Sequence, residues 1–425
     1  MEVVRATLPN GLRILALEDR SAPVVSFWVW YRVGARYERP GQTGISHWVE
    51  HMLFKGTPRL GRGQLDRLFG RLGAQWNGFT TSDFTAYLET LPQSDWWVAV
   101  EVEADRMVNT VFDPEEVERE RTVILSERGM YENDPASLLH EEVEALAFKV
   151  HPYRQPVIGW RADLQRISRA ELLAHYRTYY RPNNATVVAV GAVTPEEVIR
   201  AVTTHFGPLE PGPLAPEVHL EEPPQEGERR VVLERPGGAT PLVLVAYKIP
   251  AVGHSDTIPL LVLDAVLSGG KSLTSAGQGG MGRSSRLYRA LVRTRLAASA
   301  TSHLTPTVDP GLLWISVTAQ PDVRPEAIEA TLDAEIERLL EELVGEEEVR
   351  RATRQLRAQL AYSTDDPTGR AMWLGAAEML GVGEWFTELP ALIERVTPED
   401  VRRVAQAYLR RRTRTVGWYL PGGTA

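Results

Sequence analysis

The chain contains no cysteine. Disulfides and thiolate metal sites are therefore excluded, and cysteine usage says nothing about the redox compartment. Lysine is nearly absent too. Lys55, Lys149, Lys248 and Lys271 are the only four among 47 basic residues, and the rest are arginine. The formal net charge is −9, which argues against a nucleic-acid partner. No stretch is long and apolar enough to span a bilayer. Met1 to Thr7 has neither the basic start nor the apolar run of a secretory signal, so no membrane partner and a cytoplasmic location are expected. Histidine is scarce, with nine in 425 residues. What remains is an ordinary globular composition, 43% hydrophobic and 24% charged, in a chain long enough for two domains.

Two of the nine histidines stand together in His47-Trp48-Val49-Glu50-His51. Residues four apart lie one above the other on a helix, because 3.6 residues complete a turn. Imidazole is the commonest metal ligand, and such a pair can share one ion. Glu50 immediately precedes the second histidine, within reach of water held beside the ion. Two nitrogen ligands and a carboxylate base are what a zinc hydrolase needs. The order H-x-x-E-H reverses the commoner H-E-x-x-H and marks the inverzincins.

Catalytic zinc usually takes a third protein ligand and keeps one position open. The segment from Glu116 to Glu127 reads as a helix, with Asp113 as N-cap and Pro114 at the first position. Glu120, Val123, Ile124 and Glu127 fall on one face. Acidic groups among inward-facing apolar positions are costly unless paired or metal-bound. Beside the histidine pair, this helix is the leading source of the third ligand; by itself it reads as a charged helix with a solvated face.

These residues resemble the signature of the pitrilysin family of zinc peptidases, which includes insulin-degrading enzyme and the mitochondrial processing peptidases. The family joins H-x-x-E-H to a glutamate some seventy-five residues on, and Glu127 lies 76 residues after His51. The resemblance covers nearly the whole chain. It begins at Leu8-Pro9-Asn10-Gly11-Leu12-Arg13, runs to Phe54-Lys55-Gly56-Thr57, and resumes at Asn77-Gly78-Phe79-Thr80-Thr81. It implies Zn2+ held by His47, His51 and Glu127, with Glu50 as general base. Glu120 matches a second family glutamate that supports the site and is grouped with Glu50 as a catalytic candidate. Asn77, Gly78, Phe79 and Thr80 resemble the family's substrate-facing edge strand, which would bind extended peptide through its backbone. A plain edge strand is the alternative. His151, in a segment that also resembles the family, reads as structural.

The chain also repeats itself. A helix opening near Ile167 leads to the strand 185–191, and a helix opening at Thr397-Pro398-Glu399 leads to the strand 415–420. A proline-dense stretch with Pro208, Pro211, Pro213, Pro216, Pro223 and Pro224 lies between them and reads as a stiff linker. Alternating apolar strands such as 24–30 and 242–247, with amphipathic helices such as 326–343, complete each half. The expected fold is α+β. Two homologous domains are expected, each a mainly antiparallel sheet covered by helices: 1–210 with the zinc site, a linker at 211–228, and 229–425 without the metal motif. Leu260 to Leu267, at the place of the metal helix, has no histidine and should be a core helix.

One family feature is missing. Relatives carry an arginine and a tyrosine, seven apart, after a segment like Ser284-Ser285-Arg286-Leu287-Tyr288. Gapless alignment puts Val292 and Ser299 there, with Arg293 and Arg295 nearby. A glycine-rich loop at 268–282 resembles the substrate-contacting loop of the non-catalytic processing-peptidase subunit. It is not a phosphate-binding loop, because Ala265 occupies the required first glycine. The resemblance therefore implies the zinc-bearing subunit of a heterodimer, acting on peptide substrate, with a homologous partner supplying the missing pair. A self-sufficient homomeric zinc peptidase and a non-catalytic structural subunit are the alternatives.

Overall fold

The computed structural model describes residues 2–236, 240–271 and 282–422. Packing divides the chain into two units. The first holds Met1–Met130, Gln155–His219 and Thr364–Met379; the second holds Tyr131–Arg154, Leu220–Ser363 and Leu380–Ala425. The linker expected at 211–228 carries no helix or strand. Expected boundaries at 210 and 229 follow the order of the chain, whereas the packing units differ from them by two exchanged segments, 131–154 and 364–379.

The first unit is built on β1 (Val4–Thr7), β2 (Arg13–Glu18), β3 (Val24–Tyr31), β4 (Gln75–Thr80), β5 (Thr85–Pro92) and β6 (Ala185–Gly191). Their order across the sheet is β1-β2-β6-β3-β5-β4, and only the β2–β6 pair is parallel. The second unit is built on β7 (Arg229–Pro236), β8 (Leu242–Lys248), β9 (Ala297–Leu304), β10 (Leu312–Ala319) and β11 (Arg414–Gly422), ordered β7-β11-β8-β10-β9. Again one pair, β7–β11, is parallel. Matching β2, β6, β3, β5, β4 to β7, β11, β8, β10, β9 reproduces every neighbour and every direction. The repeat read from the sequence is thus a repeat of topology. The two helix–strand units that suggested it end in β6 and β11. Their helices, Arg169–Tyr179 and Pro398–Tyr408, start with capping boxes at Ser168 and Thr397.

Side-chain alternation explains how the first sheet is covered on both faces. Val25, Phe27, Val29 and Tyr31 of β3 enter the main core. That core also takes Trp48, Val49 and Met52 of α1 (Ile45–Leu53), Leu65 and Phe69 of α2 (Gln64–Leu72), and Val100 and Met107 of α3 (Trp97–Asn109). Ser26, Trp28 and Trp30 point the other way. Helix Pro367–Met379 packs against β3 and β6. It is tied down by Thr368, which bonds Thr90 at 2.8 Å, by Glu378, which pairs with Arg13 at 2.6 Å, and by an ion pair of Arg370 with Asp19. A Cβ on Gly375 would stand 2.1 Å from Cε2 of Trp30, so only glycine allows this approach.

The second sheet receives a helix from the other end of the chain. After α4 (Pro114–Asn133), helix α5 (Pro135–Ala147) inserts Leu139, Val143 and Ala147 against Leu244, Ala246, Trp314 and Tyr419. Its approach also needs a glycine, since a Cβ on Gly417 of β11 would meet Val143 at 2.3 Å. Each sheet is thus closed by a helix from the opposite half of the sequence. Helix Thr257–Ser268 is buried along its length, as expected of a core helix without histidine.

Candidate metal centre

The centre begins at the N-terminus of α1. The Glu38 carboxylate accepts the N–H groups of Gly44 and Ser46 at 2.7 and 2.9 Å, satisfying two donors of the first turn. Trp48, Val49 and Met52 turn into the core, which aims His47 and His51 away from it. Their Nε2 atoms lie 3.2 Å apart.

The helix α4 starts where the sequence placed it, with Asp113 Oδ1 accepting from Glu115 N at 2.9 Å and Glu116 N at 3.2 Å. It carries Glu127 to the histidines. Glu127 Oε2 is 3.9 Å from His47 Nε2 and 3.8 Å from His51 Nε2. The three atoms thus lie within 3.9 Å of one another, close enough to converge on a single ion. Among the described residues this is the one group of three or more such side chains able to hold a metal ion. Val123, expected on the inward face, is instead 51% exposed, because α4 packs through Val117, Glu120 and Ile124 and leaves the Val123 flank open.

Burial holds His47 well below its ordinary range, at about 3, with the neighbouring His51 adding to the effect, so it is neutral and able to ligate at pH 7. For His51, burial also lowers the pKa. The hydrogen bond to Glu120 and the charges of Glu50, Glu120 and Glu127 outweigh it and raise the pKa. His51 Nδ1 lies 2.8 Å from Glu120 Oε1, and the other carboxylate oxygen lies 2.5 Å from Lys55 Nζ. Burial would raise Glu120, but its bonds to His51 and Lys55 prevail and hold it below the usual carboxylate value.

Glu50 is 6% exposed. Burial raises its pKa, opposed by the Thr80 hydroxyl and the charges of His51 and Arg106, and reinforced by Glu127. Thr80 Oγ1 donates to Glu50 Oε2 at 2.7 Å. Behind it, Thr85 Oγ1 donates to the Val33 carbonyl at 2.8 Å and stands 3.3 Å from the Thr80 hydroxyl.

The four residues expected on the substrate edge all lie on or at the end of β4, which pairs with β5 alone among the described strands. Their side chains are largely engaged with the protein. A Cβ on Gly78 would meet the rings of Phe54 at 2.9 Å and Tyr87 at 3.0 Å. Phe79 packs edge-on to Trp28 and Trp30. Thr80 is bonded to Glu50, and Asn77 Oδ1 accepts the N–H of Gly78 at 2.9 Å. The outer backbone edge of β4 is what a ligand could use.

Elsewhere, His151 is 2% exposed; its Nε2 is 2.9 Å from Asp309 and its Nδ1 accepts the Tyr153 N–H at 3.2 Å, contacts of a structural residue. Val292 ends a π-helical turn, Tyr288–Val292, and Ser299 lies on β9. Of the glycine-rich loop 268–282, residues 272–281 lie outside the described residues. Lys271 at its start is buried, with Nζ 2.5 Å from Ser268 Oγ and 3.5 Å from Asp264. Two residues at the centre were not assigned these parts from the sequence, Lys55 and the Thr80 hydroxyl. A lysine four residues past His51, in a chain with four lysines, was the available signal for the first.

Residues 13–160 match the family described as insulinase (peptidase family M16), and residues 166–356 match the peptidase M16 inactive domain. Zinc protease PqqE of Helicobacter pylori is 31% identical over 339 residues, spanning 78% of this chain and 73% of that protein. The chain belongs to peptidase family M16. A probable mitochondrial-processing peptidase subunit beta of Arabidopsis thaliana is 28% identical, over 95% of this chain and 75% of that one. A crystal structure of a Helicobacter pylori protease matches with a TM-score of 0.93 at 26% identity, covering 99% of this chain and all of that one (100%). In this M16 chain the three-donor cluster lies within the insulinase-type segment. No helix among the described residues is long and apolar enough to cross a membrane.

Proposed function

We propose that this M16 chain is a zinc-dependent endopeptidase acting on peptides or unfolded polypeptide segments. One observation carries the reading: His47, His51 and Glu127 bring three donor atoms within 3.9 Å of one another, with the Glu50 carboxylate on the same turn of helix. His47, His51 and Glu127 would hold the ion, and Glu120 would hold His51. When bound, the ion supplies Lewis acidity to the scissile carbonyl. Glu50 takes a proton from the attacking water and passes it to the leaving amine. Its Oε2 is occupied by Thr80, which leaves Oε1 for that work. The backbone edge of β4 would hold the substrate as an added strand, a mode that reads little sequence.

We further propose that a homologous partner subunit completes the site. Val292 and Ser299 stand where the resemblance places an arginine and a tyrosine; valine has no donor, and the short serine hydroxyl lacks the reach of tyrosine and the charge of arginine. Similarity to a processing-peptidase beta subunit favours this over the homomeric reading. The retained donors favour catalysis over a purely structural role.

The test is hydrolysis of an unstructured fluorogenic peptide by the purified chain, with and without chelator and with its zinc content measured. Chelator-sensitive turnover by the chain alone supports the peptidase and removes the need for a partner. Zinc-loaded but inactive protein that gains turnover on adding a homologous subunit supports the heterodimer, since oxyanion donors are worth about 10²–10³-fold each. A chain that binds no zinc at neutral pH sinks the proposal.

A further inference from the structure

Lys55 follows His51 by four residues, just past the last turn of α1, where its N–H donates to the Met52 carbonyl at 3.0 Å. That turn fixes the start of its side chain, and Nζ reaches Glu120 Oε2 at 2.5 Å. The Glu120 side chain is 5% exposed, so its charge would be expensive without compensation. Its remaining oxygen, Oε1, faces His51 Nδ1 at 2.8 Å. For His51 to offer its Nε2 lone pair to an ion, the ring proton must sit on Nδ1 and needs an acceptor there. Glu120 serves only while Oε1 stays turned toward the ring. Released from Lys55, the carboxylate can rotate about its last torsion and follow the ion's charge instead.

We propose that Lys55 is a positioning residue for the metal centre: by holding Glu120 Oε2 it keeps Oε1 on His51 Nδ1 and so raises the affinity of the centre for zinc. The inference rests on the zinc reading above and deepens it. It also has a distinctive sign. An ammonium group close to a cation site repels the cation, so a lysine acting through bare charge would lower zinc affinity and its removal would raise it. Acting through Glu120, its removal must lower it.

The experiment is zinc affinity, measured by competition with a chromophoric chelator, for the full chain and for Lys55→Met, Glu120→Gln and the double variant. Outer-shell partners of metal ligands typically contribute about 10–100-fold in affinity. Lys55→Met is expected near the low end, about tenfold weaker, and Glu120→Gln further along that range. The double variant should bind no more weakly than Glu120→Gln alone, because the favourable route from the lysine to the ion runs through Glu120. Unchanged or tighter binding by Lys55→Met overturns the inference, as does a loss that adds fully to that of Glu120→Gln. Wild-type protein that binds no zinc overturns the zinc reading and this inference with it; zinc-binding wild type with an indifferent Lys55 overturns this inference alone. Should Lys55→Met fail to fold by circular dichroism, Lys55→Ala, which also removes the donor to Glu120 Oε2, is read the same way.

Discussion

At the residue scale, the roles proposed for His47 and Glu50 place opposite demands on one helical turn. The histidine has to be neutral to donate a lone pair, and burial secures that by holding it at about 3. The glutamate has to be ionised to accept a proton, and the same burial works against it. The Thr80 hydroxyl, the His51 charge and the charge of the fully buried Arg106 lower the penalty. Glu50→Gln removes the base while leaving all three proposed ligands. Zinc content should stay stoichiometric while turnover falls on the order of 10²–10⁴-fold, the usual contribution of general base catalysis. A variant that still cleaves peptide at the wild-type rate would remove Glu50 from the mechanism. The convergence of the three donors was legible in the sequence, because two are spaced on one helix and the third follows at the distance the family resemblance gives. Thr80 and Lys55 were not legible in these parts. Whether a hydroxyl on β4 meets a carboxylate on α1 depends on where the strand passes the helix, and no periodicity records that.

At the scale of the element, capping chemistry announced helix starts well: Asp113 and Thr397 each cap where the sequence suggested, and Ser168 caps the helix expected to open near Ile167. The packing partner of a helix is a different matter. An apolar stripe says that a helix is covered, not which sheet covers it, so the exchange of α5 and Pro367–Met379 left no mark. The exchange does leave a sensitivity at its contact. Gly375→Ala puts a methyl group into the Trp30 ring and should cost about 1–3 kcal/mol as overpacking. Its thermal midpoint should drop, whereas alanine at the open Gly381, a position of φ +76° with no atom within 4 Å, carries backbone strain without a clash. Glu222 anchors the far end of α5: it accepts the N–H groups of Lys149, Val150 and His151 at 2.6, 2.9 and 3.0 Å and pairs with Lys248 at 3.0 Å. Burial opposes its charge, but these bonds lower its pKa from 4.5 to about 2. The folded state thus holds this proton less tightly than the unfolded chain. Its stabilisation is complete above the unfolded value and is lost as pH falls from about 4.5 toward 2. Denaturant midpoints measured across that window should fall less steeply in Glu222→Gln than in wild type.

At the scale of the whole molecule, five strands of each sheet share one topology, yet among the described residues the three-donor cluster lies in the first unit alone. The repeat was readable because it is written in consecutive helix–strand units; the unit boundaries were not, because they depend on the exchanged helices. A fragment ending at residue 228 contains every proposed catalytic and metal-binding residue. It lacks the helix that covers Trp28 and Trp30, and it carries α5 without the sheet that α5 covers. Expressed alone it should bind hydrophobic dye and aggregate, and co-expression with residues 229–425 should rescue a soluble, zinc-binding complex. Soluble, zinc-loaded 1–228 by itself would contradict this dependence.

The exchanged helices also set a timetable for biosynthesis. During translation the last strand of the first sheet is made once residue 191 has left the ribosome, yet its Trp28–Trp30 face lacks the covering helix until residue 379 follows. At about 5–20 residues per second, that interval lasts on the order of ten seconds or more. Nascent M16 chains of this type should therefore depend on chaperones that shield aromatic surface during elongation. Synonymous codon changes that slow the ribosome between residues 191 and 379 should lower the yield of soluble protein without altering a single amino acid.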